Sequence, residues 1–406
     1  MSPSGSEQQM TLQKSSHGKP VILTFIAFYL PGYKAGGILR TIVNTVDWLG
    51  DEFEFRIVTL DRDLKEQTPY PEIMVQQWQP VGGSLVYYLP PEACTIKELV
   101  RLAGETPHDI LYLNSFFDSI FTIKLLLARR LGWLPKKPLI LAPRGEHVAG
   151  PLRLKYSKKI TYIQLSRLLG VYRNIVWQAS SEYEAADIVR VMKIKPADVH
   201  VALDLPSRTS NEPEEGASGR PESAAELRLI FLSRLTREKN LDYALRVLQK
   251  VAAAVVFDIY GPAEDAAYWQ ECQALIGRLP ANVTVQYLGG IPPDQVLPVL
   301  SRYDLFFFPT TGENYGHVIA EALTAGTPVL ISNETPWRNL QAEGFGWDLS
   351  LAQMDSFAAV IEEQALLGSA ERLQQRALIR SRIMDRLLDP AVLEANRQLF
   401  RRQLGS

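Results

Sequence analysis

Two glutamates, eight positions apart, are the residues of this chain with the clearest chemical potential. Glu313 follows the apolar run Leu305–Phe308, which predicts a buried parallel strand, and Glu321 lies in a helical pattern from Tyr315 to Ala325. Carboxylates suit sugar hydroxyls, and the unpaired amides of a helix's first turn suit phosphate oxygens. We therefore predict a site for a ligand with a diphosphate and several hydroxyls. A loop acid and a solvated helix acid without a ligand remain the alternative.

Cations and glycines follow the strands that precede this stretch. Arg234 and Lys239 come after the apolar run Leu227–Leu232, where a cation pair can neutralise a diphosphate. Glycine turns that leave space for a base or a ribose end the next two strands, at Tyr260-Gly261 and Leu288-Gly289. Because ligands bind at the carboxyl ends of parallel strands, we expect one crevice there. An ordinary charged surface loop is the alternative for Arg234 and Lys239.

The first half of the chain has its own polar groups at strand ends. Gly36 and Gly37 open a helix after the strand Val21–Phe28, so their amides can approach a phosphate, although the spacing is not that of a dinucleotide fingerprint. Arg144, Glu146 and His147 follow the strand Pro138–Ala142. The Asp-x-Asp pair Asp61 and Asp63 could hold a divalent metal, but such pairs arise often by chance, and we predict no metal site.

Composition limits the classes of protein that fit. The chain has 406 residues with 46% hydrophobic residues and a formal net charge of -2, which gives no global field for nucleic acid. Its two cysteines, Cys94 and Cys272, exclude a disulfide scaffold and suit a reducing compartment. No apolar run approaches the ~20 residues that cross a bilayer. We therefore expect a cytoplasmic enzyme or binding module.

Alternating strands and helices in both halves predict two doubly wound α/β domains. A stretch rich in Ser, Glu, Pro and Gly marks the boundary between them. The predicted order is a disordered tail over 1–19, an N-terminal domain over 20–205, a linker over 206–226, a C-terminal domain over 227–388 and a helix over 389–406 that can return to the first domain.

Residues 153–173 combine arginines and lysines with apolar residues at helical spacing. Such a helix can lie on the anionic inner surface of a membrane or receive an anionic acceptor. The alternative is a core-packed helix with a solvated outer face. The sequence leaves both interpretations open.

The order Ser-Arg-Leu-x-x-Glu-Lys-Asn, Tyr-Gly-Pro and Gly-Glu-Asn-Tyr-Gly-His-Val-Ile-Ala-Glu-Ala-Leu-x-Ala-Gly-Thr-Pro-Val resembles the family-four retaining glycosyltransferases, glycosyl transferases group 1. The resemblance implies the GT-B fold, in which two Rossmann-like domains face each other across a deep cleft. It also implies a nucleotide-sugar co-substrate, retention of the anomeric configuration, no metal and no other cofactor.

The resemblance assigns roles to individual residues. Glu313 would hold the donor sugar near its anomeric carbon, Glu321 the ribose, and Arg234 with Lys239 the diphosphate. Glu146 and His147 are further catalytic candidates, and which of Arg144, Glu146 and His147 serves the acceptor is open. The implied donor-binding residues are Gly36, Gly37, Arg144, Tyr260, Gly261, Leu288, Asn314, Tyr315, Gly316, His317 and Glu321.

Two functions from different classes fit these observations. One is a glycosyltransferase that acts on a glycan, a glycolipid or a polysaccharide precursor, in the cytoplasm or at the cytoplasmic face of the membrane. The other is a non-catalytic GT-B-like module that binds a nucleotide or glycan within a partner complex. The intact acid pair and cation pair favour the enzyme, because a binding module does not need both.

Overall fold

The computed structural model describes residues 18–146, 156–208 and 226–405. They form two compact units: unit 1 comprises Met1–Arg208 with Pro390–Ser406, and unit 2 comprises Thr209–Asp389. The predicted tail and most of the predicted linker lie outside the described residues. No described helix is both long and apolar enough to span a bilayer.

Unit 1 is built on an eight-stranded sheet in the order β3-β4-β2-β1-β5-β6-β7-β8. All neighbours are parallel except the edge pair β3 and β4. Strands with helices on both faces need nearly continuous apolar runs, which is why the central strands are so apolar. The strands are β1 (Val21–Phe25), β2 (Glu54–Leu60), β3 (Trp78–Val81), β4 (Ser84–Leu89), β5 (Ile110–Asn114), β6 (Leu139–Ala142), β7 (Val176–Ala179) and β8 (Val199–Val201).

The helices of unit 1 follow the strands in alternation. Ser181 caps the last of them before the domain boundary, with its Oγ accepting from the Glu184 amide at 3.1 Å, as an N-terminal Ser three residues before Glu predicts. The helices are α1 (Gly37–Leu49), α2 (Ile96–Glu105), α3 (Lys124–Arg130), α4 (Tyr156–Leu168) and α5 (Glu182–Met192).

The sequence of residues 73–79 predicts a strand that pairs with the strand over 84–89. The pair forms, but β3 begins only at Trp78. Glu72 and Gln76 both have left-handed backbone, with φ of 64° and 58°, and a strand cannot continue through such residues. Side-chain alternation does not reveal this break in the backbone.

Unit 2 contains a six-stranded parallel sheet in the order β11-β10-β9-β12-β13-β14. Its strands are β9 (Leu227–Leu232), β10 (Val255–Tyr260), β11 (Val283–Gly289), β12 (Leu305–Phe308), β13 (Val329–Ser332) and β14 (Gly346–Leu349). Its helices are α6 (Leu241–Leu248), α7 (Ala266–Ile276), α8 (Val296–Leu300), α9 (His317–Thr324), α10 (Leu340–Glu343), α11 (Met354–Leu366) and α12 (Ser369–Leu387).

The sequence did not predict α10 and β14. β14 is an edge strand whose glycine, Gly346, has φ of 141° and would place a Cβ 2.0 Å from the Val329 carbonyl oxygen. This close pairing with β13 is a tertiary contact, so a short and weakly apolar segment gives no signal of it.

The last helix, α13 (Pro390–Leu404), belongs to unit 1 rather than to the unit that precedes it. The Phe400 ring lies 5.4 Å from the rings of Phe53 and Tyr112 and 6.0 Å from that of Phe55. Asn396 adds a hydrogen bond from its amide to the Leu203 carbonyl at 2.8 Å. The aromatic contacts bury one face of α13 against the sheet.

The strand order determines which loops meet. In unit 2, β9 lies between β10 and β12, so the chain leaves β9 in one direction and later returns on its other side. Such a switch point opens a crevice at the carboxyl ends of the two strands. The loops that carry Lys239 and Glu313 follow β9 and β12, so they flank this crevice.

Candidate functional site

The centre of the candidate site is an ion pair between Lys239 and Glu313. The Lys239 Nζ lies 2.6 Å from the Glu313 Oε1 and 3.4 Å from the Glu238 Oε1. Burial alone would lower the pKa of Lys239, but the two carboxylates more than offset it, and the pKa is raised above its ordinary value of 10.5. The site therefore holds a buried, charged ammonium group at neutral pH.

Main-chain hydrogen bonds join the two loops that carry this pair. The Thr311 amide donates to the Glu238 carbonyl at 2.8 Å, and the Thr310 hydroxyl donates to the same oxygen at 3.1 Å. On the other side, the Asn240 side-chain amide donates to the Pro309 carbonyl at 2.9 Å. These contacts cross from β9 to β12 and fix the Lys239 backbone relative to the Glu313 loop.

The loop after β13 holds the far side of the Glu313 segment. The Glu313 amide donates to the Glu334 carbonyl at 3.2 Å, and the Trp337 indole donates to the Tyr315 carbonyl at 2.7 Å. Trp337 is 5% exposed, and its ring lies 5.9 Å from that of Tyr315. Sequence reasoning missed this positioning residue, because a tryptophan in a polar loop gives no indication of which carbonyl its indole will meet.

The N-terminus of α9 points to an anion site beside the ion pair. Gly316 precedes the helix with φ of 82°, a conformation that glycine adopts without strain. Among the described residues no side chain caps the helix, and its first turn has no acid. The helix dipole and the first-turn amides of His317 and its neighbours therefore favour a bound anion.

Glu313 also has space beside it. A Cβ added to Gly312 would meet no atom within 4 Å, although the residue is buried. Packing within the unit therefore does not require a glycine at this position. A ligand that closely approaches the backbone would require one.

The other predicted residues of unit 2 are placed less centrally. Arg234 is 40% exposed at its side chain and lies 3.6 Å from Glu264 rather than beside Glu313. Glu321 is half-buried on α9, and Leu288 is 44% exposed at the end of β11. The Tyr260 hydroxyl lies 3.3 Å from that of Tyr303.

Gly261 has a packing reason to be a glycine. Its φ is 129°, and an added Cβ would lie 1.8 Å from the Ser233 carbonyl oxygen. The ends of β9 and β10 thus meet too closely for any side chain. The sequence interpretation, in which this glycine left space for a ligand, is replaced by this structural explanation.

Arg144 in unit 1 is engaged by polar groups of its own unit, and its role at a donor or acceptor stays a prediction. Its guanidinium donates to Asp204 at 2.8 Å, to Asn114 at 2.8 and 3.0 Å and to the Tyr112 hydroxyl at 2.5 Å. Asp204 in turn accepts from Thr41 on α1 at 2.8 Å. The side chain is buried and engaged with its own unit, so it ties the ends of β5 and β6 to α1.

The Glu146 carboxylate accepts hydrogen bonds from several donors of the loop after β5. It accepts from the Ser115 hydroxyl at 2.8 Å and from the amides of Phe116 and Phe117 at 2.5 and 2.8 Å. Burial raises the pKa of this carboxyl above its ordinary value, although these donors oppose the shift. These contacts give Glu146 a role in holding the loop, and His147 lies outside the described residues.

The glycine loop of unit 1 is held by an acid that the sequence had offered as a metal ligand. Asp63 accepts from the amides of Tyr33 and Lys34 at 2.9 and 3.1 Å, just before Gly36 and Gly37. Asp61 pairs instead with Arg62 at 2.7 Å. Of the two acids, Asp63 thus supports the loop that leads into α1.

Residues 218–377 match the family Glycosyl transferases group 1. An uncharacterized 41.2 kDa protein of the cps region of Klebsiella pneumoniae is 24% identical over 58% of this chain and 63% of its own length. The O-antigen chain mannosyltransferase B of Escherichia coli is 24% identical over 38% of this chain and 42% of its own length. The chain thus spans less than two thirds of these curated relatives.

Solved structures agree in fold. HepE of Anabaena, solved in complex with UDP and glucose, is 15% identical, with a TM-score of 0.69 over 95% of this chain and 100% of its own. At this identity the likeness establishes the fold. The protein is therefore a two-domain α/β protein of the GT-B class, as the resemblance implied. The match to the group 1 glycosyltransferases covers residues 218–377, which lie in unit 2.

Proposed function

We propose that the protein transfers a sugar from a nucleotide-sugar donor to a glycan, a glycolipid or a polysaccharide precursor, with retention of configuration and without a metal. The ion pair of Lys239 and Glu313 at neighbouring strand ends carries this proposal. It lies within the region that matches the family and beside the uncapped N-terminus of α9. The UDP and glucose bound to HepE, a protein of the same fold, support a nucleotide-sugar donor.

We assign a part of the proposed chemistry to each group. The bond from the anomeric carbon to the leaving phosphate oxygen breaks, and its electron pair passes to the diphosphate. Lys239 and the α9 amides stabilise that charge, with Arg234 at the edge of the crevice. The acceptor hydroxyl forms the new bond on the same face and gives its proton to a leaving phosphate oxygen.

The carboxylates serve the hydroxyls of the donor. Glu313 accepts a hydrogen bond from a hydroxyl of the transferred sugar once the diphosphate competes for Lys239. The Lys239 ammonium group is then shared by the diphosphate and Glu313 and remains between these two anions. Glu321, four residues after the first residue of α9, accepts hydrogen bonds from the ribose hydroxyls. Asn314 and Tyr315 belong to the loop beside the ribose. The roles expected for Gly36, Gly37, Tyr260 and His147 stay predictions.

The relatives indicate the kind of acceptor. The cps region and the O antigen of the two curated relatives both concern surface polysaccharides, so a growing polysaccharide is the acceptor we propose. Such precursors are made on lipid carriers, which suits a peripheral site at the cytoplasmic face of a membrane. The basic residues of α4 are consistent with that site.

Two substitutions test the proposal. In Lys239→Met, we expect the affinity for nucleoside diphosphates to fall about tenfold to a hundredfold and donor turnover about a hundredfold or more, because the buried cation is lost. In Glu313→Gln, nucleotide binding should change little while turnover falls, because the carboxylate serves the sugar. Isothermal titration and a donor-hydrolysis assay measure the two effects.

Arg237→Met is the matched control. Arg237 lies two residues before Lys239 but pairs on the surface with Glu271 at 2.6 Å, so both readouts should stay at the wild-type level. Full turnover in Lys239→Met would overturn the assignment. Nucleotide binding without turnover of any nucleotide sugar in a broad panel would favour the non-catalytic module instead.

A further inference from the structure

Exposed apolar side chains gather at the ends of two helices of unit 1. Leu131 and Trp133, which follow α3, are 60% and 55% exposed. Leu165, Leu168 and Leu169, at the end of α4, are 53%, 84% and 51% exposed. The spacing of the three leucines places them on one face. We name these five residues the leucine–tryptophan surface.

Hydrogen bonds bring the two helix ends together. The Arg130 Nε donates to the Leu169 carbonyl at 2.8 Å, and Arg129 donates to the Asn174 carbonyl at 2.9 Å. The Trp133 amide donates back to the Ala128 carbonyl at 2.9 Å, which folds the turn over the end of α3. The apolar side chains therefore belong to one surface.

The surroundings of this surface are cationic. Residues 124–137 contain five lysines and arginines and no acid, and residues 156–174 contain four and no acid. Since the whole chain has a net charge of -2, this concentration is local. The fully exposed members of the set are Arg130, Lys136, Lys158 and Arg173.

We propose that the leucine–tryptophan surface binds the interface of an anionic lipid bilayer. Tryptophan favours the headgroup level, leucines favour the boundary of the acyl chains, and the surrounding cations face lipid phosphates. A second copy of the chain fits less well, because a symmetric contact would place these cations against each other.

The proposal changes how α4 meets a membrane. The basic pattern over 153–173 suggested a helix lying along the surface, but Ile163 and Ser166 are buried in the core of unit 1. Among the described side chains of α4, the large apolar groups that are exposed to solvent lie at its carboxyl end, beside the turn after α3. The contact is thus made by two helix ends, and it does not depend on the proposed transfer chemistry.

Sedimentation of the full chain with vesicles tests the surface. We expect binding to vesicles that contain phosphatidylglycerol, weaker binding in high salt and little binding to pure phosphatidylcholine. Leu168→Ser should lower the binding constant about tenfold, as loss of one buried leucine predicts. Leu366→Ser is the control, because Leu366 is 86% exposed on α11 of unit 2 and should not affect binding.

Two further variants separate the apolar and charged contributions. Addition of the phosphatidylglycerol vesicles should shift tryptophan fluorescence to shorter wavelength, and Trp133→Phe should remove most of that shift. The double variant Lys136→Gln with Arg173→Gln should weaken binding to the anionic vesicles roughly tenfold or more, because each substitution removes one positive charge that faces the lipid phosphates.

Absence of wild-type sedimentation with either vesicle would overturn the proposal, as would an equal loss in Leu366→Ser. Self-association that Leu168→Ser abolishes, without lipid binding, would assign the surface to a second copy instead. Donor hydrolysis in lipid-free solution should be the same in all these variants. Failure of lipid binding is therefore distinguishable from failure of the proposed glycosyl transfer.

Discussion

At the scale of the residue, the main finding is that Lys239 and Glu313 satisfy each other before any ligand binds. A buried ammonium without a partner would cost several kcal/mol, so the pair keeps the site folded and charged. A diphosphate that enters supplies stronger acceptors for the same cation. The acid and the cation to which we assign donor recognition therefore also stabilise the fold around the site.

At this scale, alanine substitutions of two glycines at the site should have opposite effects on stability and on ligand binding. Gly261→Ala should lower the free energy of unfolding by about 3 kcal/mol or more, because the new Cβ would collide with the Ser233 carbonyl oxygen. Gly312→Ala should leave stability within about 0.5 kcal/mol, since its Cβ meets nothing, while nucleotide-sugar binding weakens. Urea unfolding and titration calorimetry measure both variants.

Each outcome has a counterpart that would contradict it. A stable Gly261→Ala protein would mean that the ends of β9 and β10 can separate. Unchanged donor affinity in Gly312→Ala would mean that the space beside Glu313 is not used by the ligand.

At the scale of the element, the loops after parallel strands are held by carboxylates that accept from main-chain amides. Glu146 holds the loop after β5, and Asp63 holds the loop before α1. Glu184 accepts from the amides of Ser180 and Gly145 at 2.7 and 2.6 Å. These acids of unit 1 thus hold the loops at the ends of its strands.

The buried carboxyl of Glu146 predicts that the free energy of unfolding depends on pH. Burial raises its pKa above the ordinary 4.5, so the folded state binds the proton more tightly than the unfolded state does. As pH rises above that value, the wild type should therefore lose stability relative to Glu146→Gln, which does not titrate. Urea unfolding of both proteins between about pH 5 and pH 8 measures the difference.

Glu98→Gln is a suitable control for this experiment, because contact with Arg101 lowers the pKa of that surface carboxyl. Its difference from the wild type should stay nearly constant over the same pH range, because a lowered pKa places its titration below that range. A Glu146 difference that stays constant with pH would show that this carboxyl is ionised equally in both states.

At the scale of the whole molecule, the chain leaves unit 1 after Arg208 and returns to it at Pro390. The aromatic ring of Phe400 fills a space among side chains of β2 and β5 and of the segment before β2. The core of unit 1 therefore includes α13. Because α13 follows unit 2 in the chain, this core is completed only after unit 2 has been synthesised.

We accordingly expect Phe400→Ala to lower the free energy of unfolding by about 3 to 5 kcal/mol, as removal of a buried phenylalanine does. Leu404→Ala, at a residue 38% exposed on the same helix, should cost much less. Hydrogen exchange should report the loss in the strands of unit 1. Equal exchange in the two variants would mean that α13 is not part of the core.

The sequence by itself determined the strands and the chemistry of their ends. The mainly apolar segments of β9 and β10 predicted both strands to the residue, because a strand covered on both faces is apolar along most of its length. The order of acids, cations and glycines after those strands carried the resemblance that predicted the class of fold, and the donor-side residues stay predictions.

Only the tertiary structure decided which of these groups meet. Glu313 is 74 positions from Lys239, and Arg144 is 60 from Asp204, so neither pairing has a local signal. The close approach at Gly261 and the indole contact of Trp337 likewise depend on strand order and on backbone geometry. Periodicity reports which face of an element is buried, whereas the partner of a polar side chain depends on how distant segments are brought together.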